Sequence, residues 1–195
     1  MVGGRSDDAT IYEMLQDKIL EASSFRGDET ITIFRENLLE IFRLLKDDSK
    51  LDLNLLTDIT AVDYLGKKTP RFEVVYHLHS LSLNRRLRVK VPVPEEDPEV
   101  DSLTPLWKGA NWLEREVWDM FGVRFRGHPD LRRVLMYEQF QGHPLRKDYP
   151  VNQRQPLVPE REVEDTFVDG ASKHNLLHLK GQFPTKSRKS ANGAS

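Results

Sequence analysis

The chain has 195 residues, 38% of them hydrophobic and 31% charged, with 29 Lys and Arg against 31 Asp and Glu. Such a chain is long enough for one water-soluble domain with a real core and an appendage, and its net charge of -2 argues against a protein that lives by covering nucleic-acid phosphates while leaving room for local basic patches. It has no cysteine, which excludes disulfides, thiolate nucleophiles, iron-sulfur ligation and Cys-type zinc sites together.

The N-terminal MVGGRSDDATIYEM lacks the apolar stretch of a signal peptide, and no run approaches the ~20 apolar residues of a membrane span. Any membrane is therefore expected to be met through partners. Thr10 and Glu13 have capping-box spacing, and Ile11, Leu15, Ile19 and Ala22 follow at helical steps, predicting a first amphipathic helix. The polar stretch from Ser23 to Glu29 ends it. Thr30 to Phe34 reads as a short β-branched strand, and Phe34, Leu38, Ile41, Phe42 and Leu45 form one face of a second helix.

Leu51, Leu53 and Leu55 alternate with polar residues, opening a strand that continues toward Val62. Gly66 to Pro70 is a turn. Phe72, Val74, Tyr76 and Leu78 then face one way and Glu73, Val75, His77 and His79 the other. Ser80 to Asn84 closes a hairpin, and the returning strand turns Leu87, Val89, Val91 and Val93 inward until Pro92 and Pro94 stop it. After a Pro-rich loop, Thr104 is the expected N-cap and Pro105 the first position of a helix that runs to Phe121 and ends at Gly122. The fold class predicted is α+β: a two-layer domain over residues 1–135, with helices packed on a small mixed or antiparallel sheet. An extended C-terminal arm over residues 136–195 follows, ending in a basic tail that contains Lys173, Lys180, Lys186, Arg188 and Lys189.

Chemistry is densest between Asn111 and Pro150. At ~100° per residue, Leu106, Ala110, Leu113, Val117, Met120 and Phe121 form the buried stripe of the long helix, widened by Trp107 and Trp118. Glu114 falls inside that arc and so needs a partner; Arg132, Arg133 or a basic residue of another chain is expected. Trp112, Glu116 and Asp119 share the opposite face and read as contact surface. Two Gly-His-Pro turns, at His128 and His143, precede arginine-rich runs that suit a bidentate hold on neighbouring backbone and carboxylates, with the arginines aimed outward. Glu114 and Glu116 also permit an acid-base dyad, although side chains two apart on a helix diverge.

Several strings carry a family resemblance. They are Glu114-Arg115-Glu116, Trp118-Asp119-Met120-Phe121-Gly122, Gly127-His128-Pro129-Asp130-Leu131-Arg132-Arg133 and Gly142-His143-Pro144-Leu145-Arg146-Lys147-Asp148-Tyr149-Pro150. Leu56 to Tyr64 and Arg71 to Tyr76 add to them upstream. Together they resemble the thirty-kilodalton subunit family, the C subunits, of the NADH:quinone oxidoreductases of respiratory chains, complex I. The resemblance implies a non-redox subunit of the peripheral arm, inactive in isolation, with no catalytic, cofactor-binding or metal residue of its own. Flavin, iron-sulfur clusters and quinone are expected in partner subunits. It implies docking to the large quinone-site subunit and to cluster-bearing subunits, on the cytoplasmic side of the cell membrane or the matrix side in mitochondria. The residues implied in partner binding or bracing are Trp112, Glu114, Arg115, Glu116, Asp119, His128, Asp130, Arg132, Arg133, His143, Arg146, Lys147 and Asp148. Related membrane-bound hydrogenase and dehydrogenase complexes carry similar subunits, so the electron donor stays open.

Two other readings stand beside this one. His77 with His79 on a strand face, and His174 with His178 at helical spacing, have ligand geometry, but neither pair has a carboxylate at a motif distance. A polyanion- or RNA-binding module would use Arg124, Arg126, Arg132 and Arg133, against which stands the interleaving of arginines with carboxylates.

Overall fold

The structure, a computed structural model, describes Leu15 and residues 18–158. β1 (Ile19–Phe25) and β2 (Asp28–Ile33) form an antiparallel hairpin. This corrects the expected first helix at its C-terminal end, since Ile19 and Ala22 lie in a strand; Thr10, Ile11 and Glu13 lie outside the described residues. The reason is local: Arg26 and Gly27 both take positive φ, 53° and 87°. That two-residue turn twists in the sense of paired strands. Ser23 to Glu29 is therefore strand and turn rather than a break.

A 3-10 turn (Arg35–Asn37) leads into α1 (Leu38–Asp47), which buries Leu38, Ile41, Phe42 and Leu45 of the predicted face; Phe34, expected on that face, lies ahead of the helix and is exposed. Then come β3 (Leu55–Asp63), β4 (Phe72–Ser80), β5 (Arg85–Val93), β6 (Glu99–Asp101), α2 (Ala110–Phe121) and β7 (Arg124–Arg126). The five-stranded sheet has the order β1-β2-β5-β4-β3. Its neighbours are antiparallel except β2 and β5, which run parallel, so the sheet is mixed. Pro92 does not end β5. It sits opposite Glu73, past Lys90, the last residue that β2 pairs, so its missing N–H breaks no bond to β2.

Phe72, Val74, Tyr76 and Leu78 of β4 and Leu87, Val89, Val91 and Val93 of β5 are buried in one core with the apolar faces of α1 and α2. Phe42 meets the Tyr76 ring edge-on at 4.9 Å. The fold is α+β, two layers, as expected. α2 is shorter than predicted: Thr104 and Pro105 lie in turns ahead of it, and Gly109 precedes its first residue without a side-chain cap. Ser102 and Thr104, free of capping, use their hydroxyls elsewhere.

Contacts group the described residues through Pro156 into one compact unit. Residues 136–156, assigned to the arm from sequence, thus belong with the sheet domain despite having no helix or strand. His174, His178 and the basic tail lie outside the described residues. Among the described residues no three of His, Cys, Asp and Glu stand together as a metal would need, and no helix is long and apolar enough to cross a membrane.

Candidate functional site

The region around α2 is built by the chain folding back over its own helix. Asp119 is fully buried. One carboxylate oxygen accepts from the backbone N–H groups of Val134, Leu135 and Met136 at 3.1, 2.9 and 2.9 Å. The other accepts from Arg133 at 2.5 Å. Three successive amides form an anion-holding nest. Burial alone would raise the Asp119 pKa, but the bonds from Met136, Arg133, Leu135 and Val134 outweigh it and leave it below the ordinary value.

Arg133 also donates to the carbonyls of Phe140 and Gly142, at 2.9 and 3.0 Å. Arg115 donates to the carbonyls of Arg132 and Arg133, both at 3.0 Å, while lying 5.1 Å from the Trp112 ring centre. These arginines are not aimed outward: their donors are spent on the chain's own carbonyls, because a loop without secondary structure leaves those acceptors unpaired. Arg132 alone of this run points out, to Asp130 at 2.9 Å.

The second Gly-His-Pro turn docks on the C-terminus of α2. His143 pairs through Nδ1 with the Asp119 carbonyl at 3.0 Å, and burial pushes its pKa down. Leu145 donates to the Met120 carbonyl at 3.0 Å and Arg146 Nε to that of Phe121 at 2.5 Å, capping orphan helix carbonyls. Burial lowers the Arg146 pKa, with Arg71 adding to the effect. Gly122, at φ +77°, admits this approach: a Cβ there would lie 2.5 Å from an Arg146 nitrogen and 2.6 Å from His143. Gly122→Ala is expected to lose about 2 kcal/mol or more, from left-handed strain and the displaced side chains together. Thermal melting of the two proteins checks it.

A further hold was not foreseen from sequence. Arg71 binds Asp63 through two bonds, 2.9 and 2.7 Å, and Asp148 through two more, 3.1 and 2.8 Å. It also reaches Glu95 at 2.5 Å. The Lys147 N–H donates to Asp63 at 2.8 Å. The Arg71 bonds, aided by amides of Lys147 and Leu65, hold the Asp63 pKa at about 2, and Arg71 likewise lowers that of Asp148. A signal was available: β3 and β4 pair Asp63 with Phe72, which sets Arg71 beside Asp63 once the hairpin register is known.

Glu114 lies inside the arc, as its position predicts, but not with an arginine. Its carboxylate accepts from the Leu103 N–H at 2.6 Å and the Ser102 hydroxyl at 2.7 Å, with His128 Nε2 at 4.0 Å. Arg132 and Arg133 are drawn away by Asp130 and Asp119. Burial raises the Glu114 pKa to about 7, against the opposing pull of those two bonds. Glu116 is exposed on the other side, which removes the geometry of a dyad. His128 bridges the Asn111 carbonyl at 3.1 Å and the Asp130 N–H at 3.0 Å.

Among the outward side chains are several large apolar ones, set between charged groups such as Glu116, Arg132, Glu138 and Lys147. Trp112 is 65% exposed, and Leu135, Tyr137, Leu145 and Val151 are exposed along the returning segment. Asp119, expected beside Trp112 on that surface, is instead covered by residues 133–136.

The model of the family described as "Respiratory-chain NADH dehydrogenase, 30 Kd subunit" matches residues 31–155. The C subunit of the NADH-quinone oxidoreductase of Geobacter sulfurreducens is 51% identical over 152 residues, covering 78% of this chain and 90% of that protein. Its counterpart from a Roseiflexus species is 50% identical, covering 74% and 85%. Among solved structures, a trypsin-resistant fragment of Nqo5 superposes with a TM-score of 0.57 at 36% identity, over 64% of this chain and 98% of the fragment. A chain of an archaeal membrane-bound sulfane sulfur reductase has a TM-score of 0.63 at 18% identity, over 98% of this chain and 100% of that one, a likeness of fold. With a matched segment spanning β2 to the end of the docked loop, and two relatives at half identity or better over most of their length, the chain belongs to the thirty-kilodalton subunit family of the respiratory NADH dehydrogenases, complex I.

Proposed function

We propose that this chain is a non-redox structural and assembly subunit of the peripheral arm of a proton-translocating NADH:quinone oxidoreductase. It docks the large quinone-site subunit and the cluster-bearing subunits. Flavin, iron-sulfur clusters and quinone belong to those partners, and the isolated chain does not turn over NADH. It works at the cytoplasmic face of the cell membrane, or the matrix face in mitochondria, and reaches the membrane through its partners.

The observation that supports this is the division of labour around α2. Asp119, Arg115, Arg133, Arg146 and Arg71 fix residues 131–150 from within, leaving Trp112, Leu135, Tyr137 and Leu145 outside on a braced backbone. Exposed aromatic and aliphatic side chains on a preorganised support suit a partner interface, since little ordering cost remains to binding.

The test is affinity isolation of the tagged chain from native membranes. Quinone-site and cluster-bearing subunits should co-purify with it. Trp112→Ala combined with Leu145→Ala is expected to weaken recovery of partners about tenfold, the equivalent of roughly 1.4 kcal/mol, with melting of the isolated chain unchanged. Wild-type recovery, or stoichiometric flavin or iron in the isolated chain, would overturn the proposal.

A further inference from the structure

Glu114 is not used by the docking surface, yet it is completely buried and no lysine or arginine pairs with it among the described residues. Its neighbours form a line of hydroxyls. The Ser102 hydroxyl lies 2.7 Å from the Glu114 carboxylate and 2.7 Å from the Thr104 hydroxyl, and it accepts the Thr104 N–H at 3.1 Å. Thr104 is half-buried and lines a surface cavity with Pro105, Lys108, Asn111, Gly127 and Pro129.

The groups facing Glu114 come from three elements. β4 brings Tyr76, whose buried hydroxyl has no hydrogen-bond partner among the described residues and whose ionisation is opposed by burial first and then by Glu114 and by Asp101 of β6. The turn after β7 brings His128, whose side chain is fully buried. His128 Nδ1 accepts the Asp130 N–H, so the ring proton sits on Nε2 and donates to the Asn111 carbonyl. A second proton on that ring would break the Asp130 bond. His128 therefore cannot neutralise Glu114 without opening its own turn.

We propose that Glu114 is an exchangeable, buried proton-binding site, joined to the surface cavity by the Ser102 and Thr104 hydroxyls, and that its charge state is relayed to the His128 turn. Both states satisfy every group in the line. When Glu114 carries the proton, its O–H donates to Ser102, Ser102 donates to Thr104, and Thr104 donates to solvent. When Glu114 is ionised, each hydroxyl has passed its own proton outward and taken one from the group inside it, so that Thr104 now donates to Ser102 and Ser102 to the carboxylate. In passing between them Glu114 loses one proton and a water at Thr104 gains one. The Leu103 and Thr104 N–H bonds persist throughout. The ionised carboxylate attracts the His128 Nε2–H away from Asn111, which carries the change to Pro129 and Asp130. The raised proton affinity of Glu114 places this exchange near neutral pH.

The experiment is NMR titration of the full chain with carbon-13 in the glutamate side chains, Glu114 being assigned by through-bond correlation. The Glu114 carboxyl should titrate with a midpoint near 7, and the His128 ring signals should move with the same midpoint. Glu114→Gln keeps the bonds to Leu103 and Ser102 and should leave His128 without that titration. Thr104→Val should keep the midpoint and slow proton exchange. A Glu114 midpoint in the ordinary carboxylate range, or His128 signals that titrate unchanged in the glutamine variant, would overturn the proposal. The wild-type titration decides the first point even if a variant fails to fold. Assembly with partners is not measured, so the result is independent of the docking function.

Discussion

Asp119→Ala is expected to destabilise the isolated chain by about 3 to 5 kcal/mol, the cost of removing one partner from a buried charge pair and its hydrogen bonds. The wild-type carboxylate serves Arg133 and the three amides of Val134, Leu135 and Met136. Alanine leaves the three amides without an acceptor and takes the carboxylate from Arg133, which keeps its bonds to the Phe140 and Gly142 carbonyls; each buried unsatisfied donor costs about 1 to 3 kcal/mol unless water reaches it. The loop will move to find water, so the loss should be local before it is global. Hydrogen exchange should show the Val134–Met136 amides losing protection, while β4 and β5 stay protected until global unfolding. Because the folded-state pKa of Asp119 is depressed, its contribution is complete above the unfolded carboxylate range and is lost as pH falls through the folded value. The acid limb of the stability curve should therefore flatten in the variant. Retained protection at Val134–Met136, with denaturation unchanged, would show that the nest does not hold the loop.

This site was only half legible in the sequence. Trp112, Glu116 and Asp119 do share a helix face, and the exposure of the first two follows from it. The burial of Asp119 does not, because it depends on where the chain returns after β7, and a segment without periodicity carries no sign of its path. Arginines likewise look outward in a sequence, whereas here irregular backbone supplies the carbonyls that turn Arg115, Arg133 and Arg146 inward. Burial of Glu114 was readable from helical phase alone; its partners were not, since Ser102 read as part of a Pro-rich loop and Thr104 as a helix cap. The sheet shows the same division. β4 and β5 announce themselves by strict alternation around a buried face. β1 has no such face, six of its seven residues being exposed, so the spacing of Ile19 and Ala22 suited a helix, and only the turn at Arg26-Gly27 decided the matter.

Arg71→Met should be as damaging as loss of Asp119, again by about 3 to 5 kcal/mol, and it should change the sign of the pH dependence. In the wild type Asp63 is fully buried at its side chain and held at about 2, below its ordinary 3.8. That difference is worth about 2 kcal/mol, present above pH ~4 and lost as pH falls toward 2. Without Arg71 the same carboxylate sits in a dry site with only the amides of Leu65 and Lys147. Burial then favours its protonated form, so the variant should gain stability on acidification from neutral pH, where the wild type gains none from this residue. Asp148, half exposed, loses its anchor to the domain, so protease cleavage between Leu145 and Tyr149 should quicken. Adding Asp63→Asn separates the two causes of damage. If the unpaired buried charge dominates, the double variant recovers much of the lost stability yet remains protease-sensitive, because the anchor for Asp148 is still missing. If the double variant is as unstable as Arg71→Met alone, the methionine has failed to replace the packing of the guanidinium against Phe72, which lies 4.8 Å away, and the charge account of this junction is wrong.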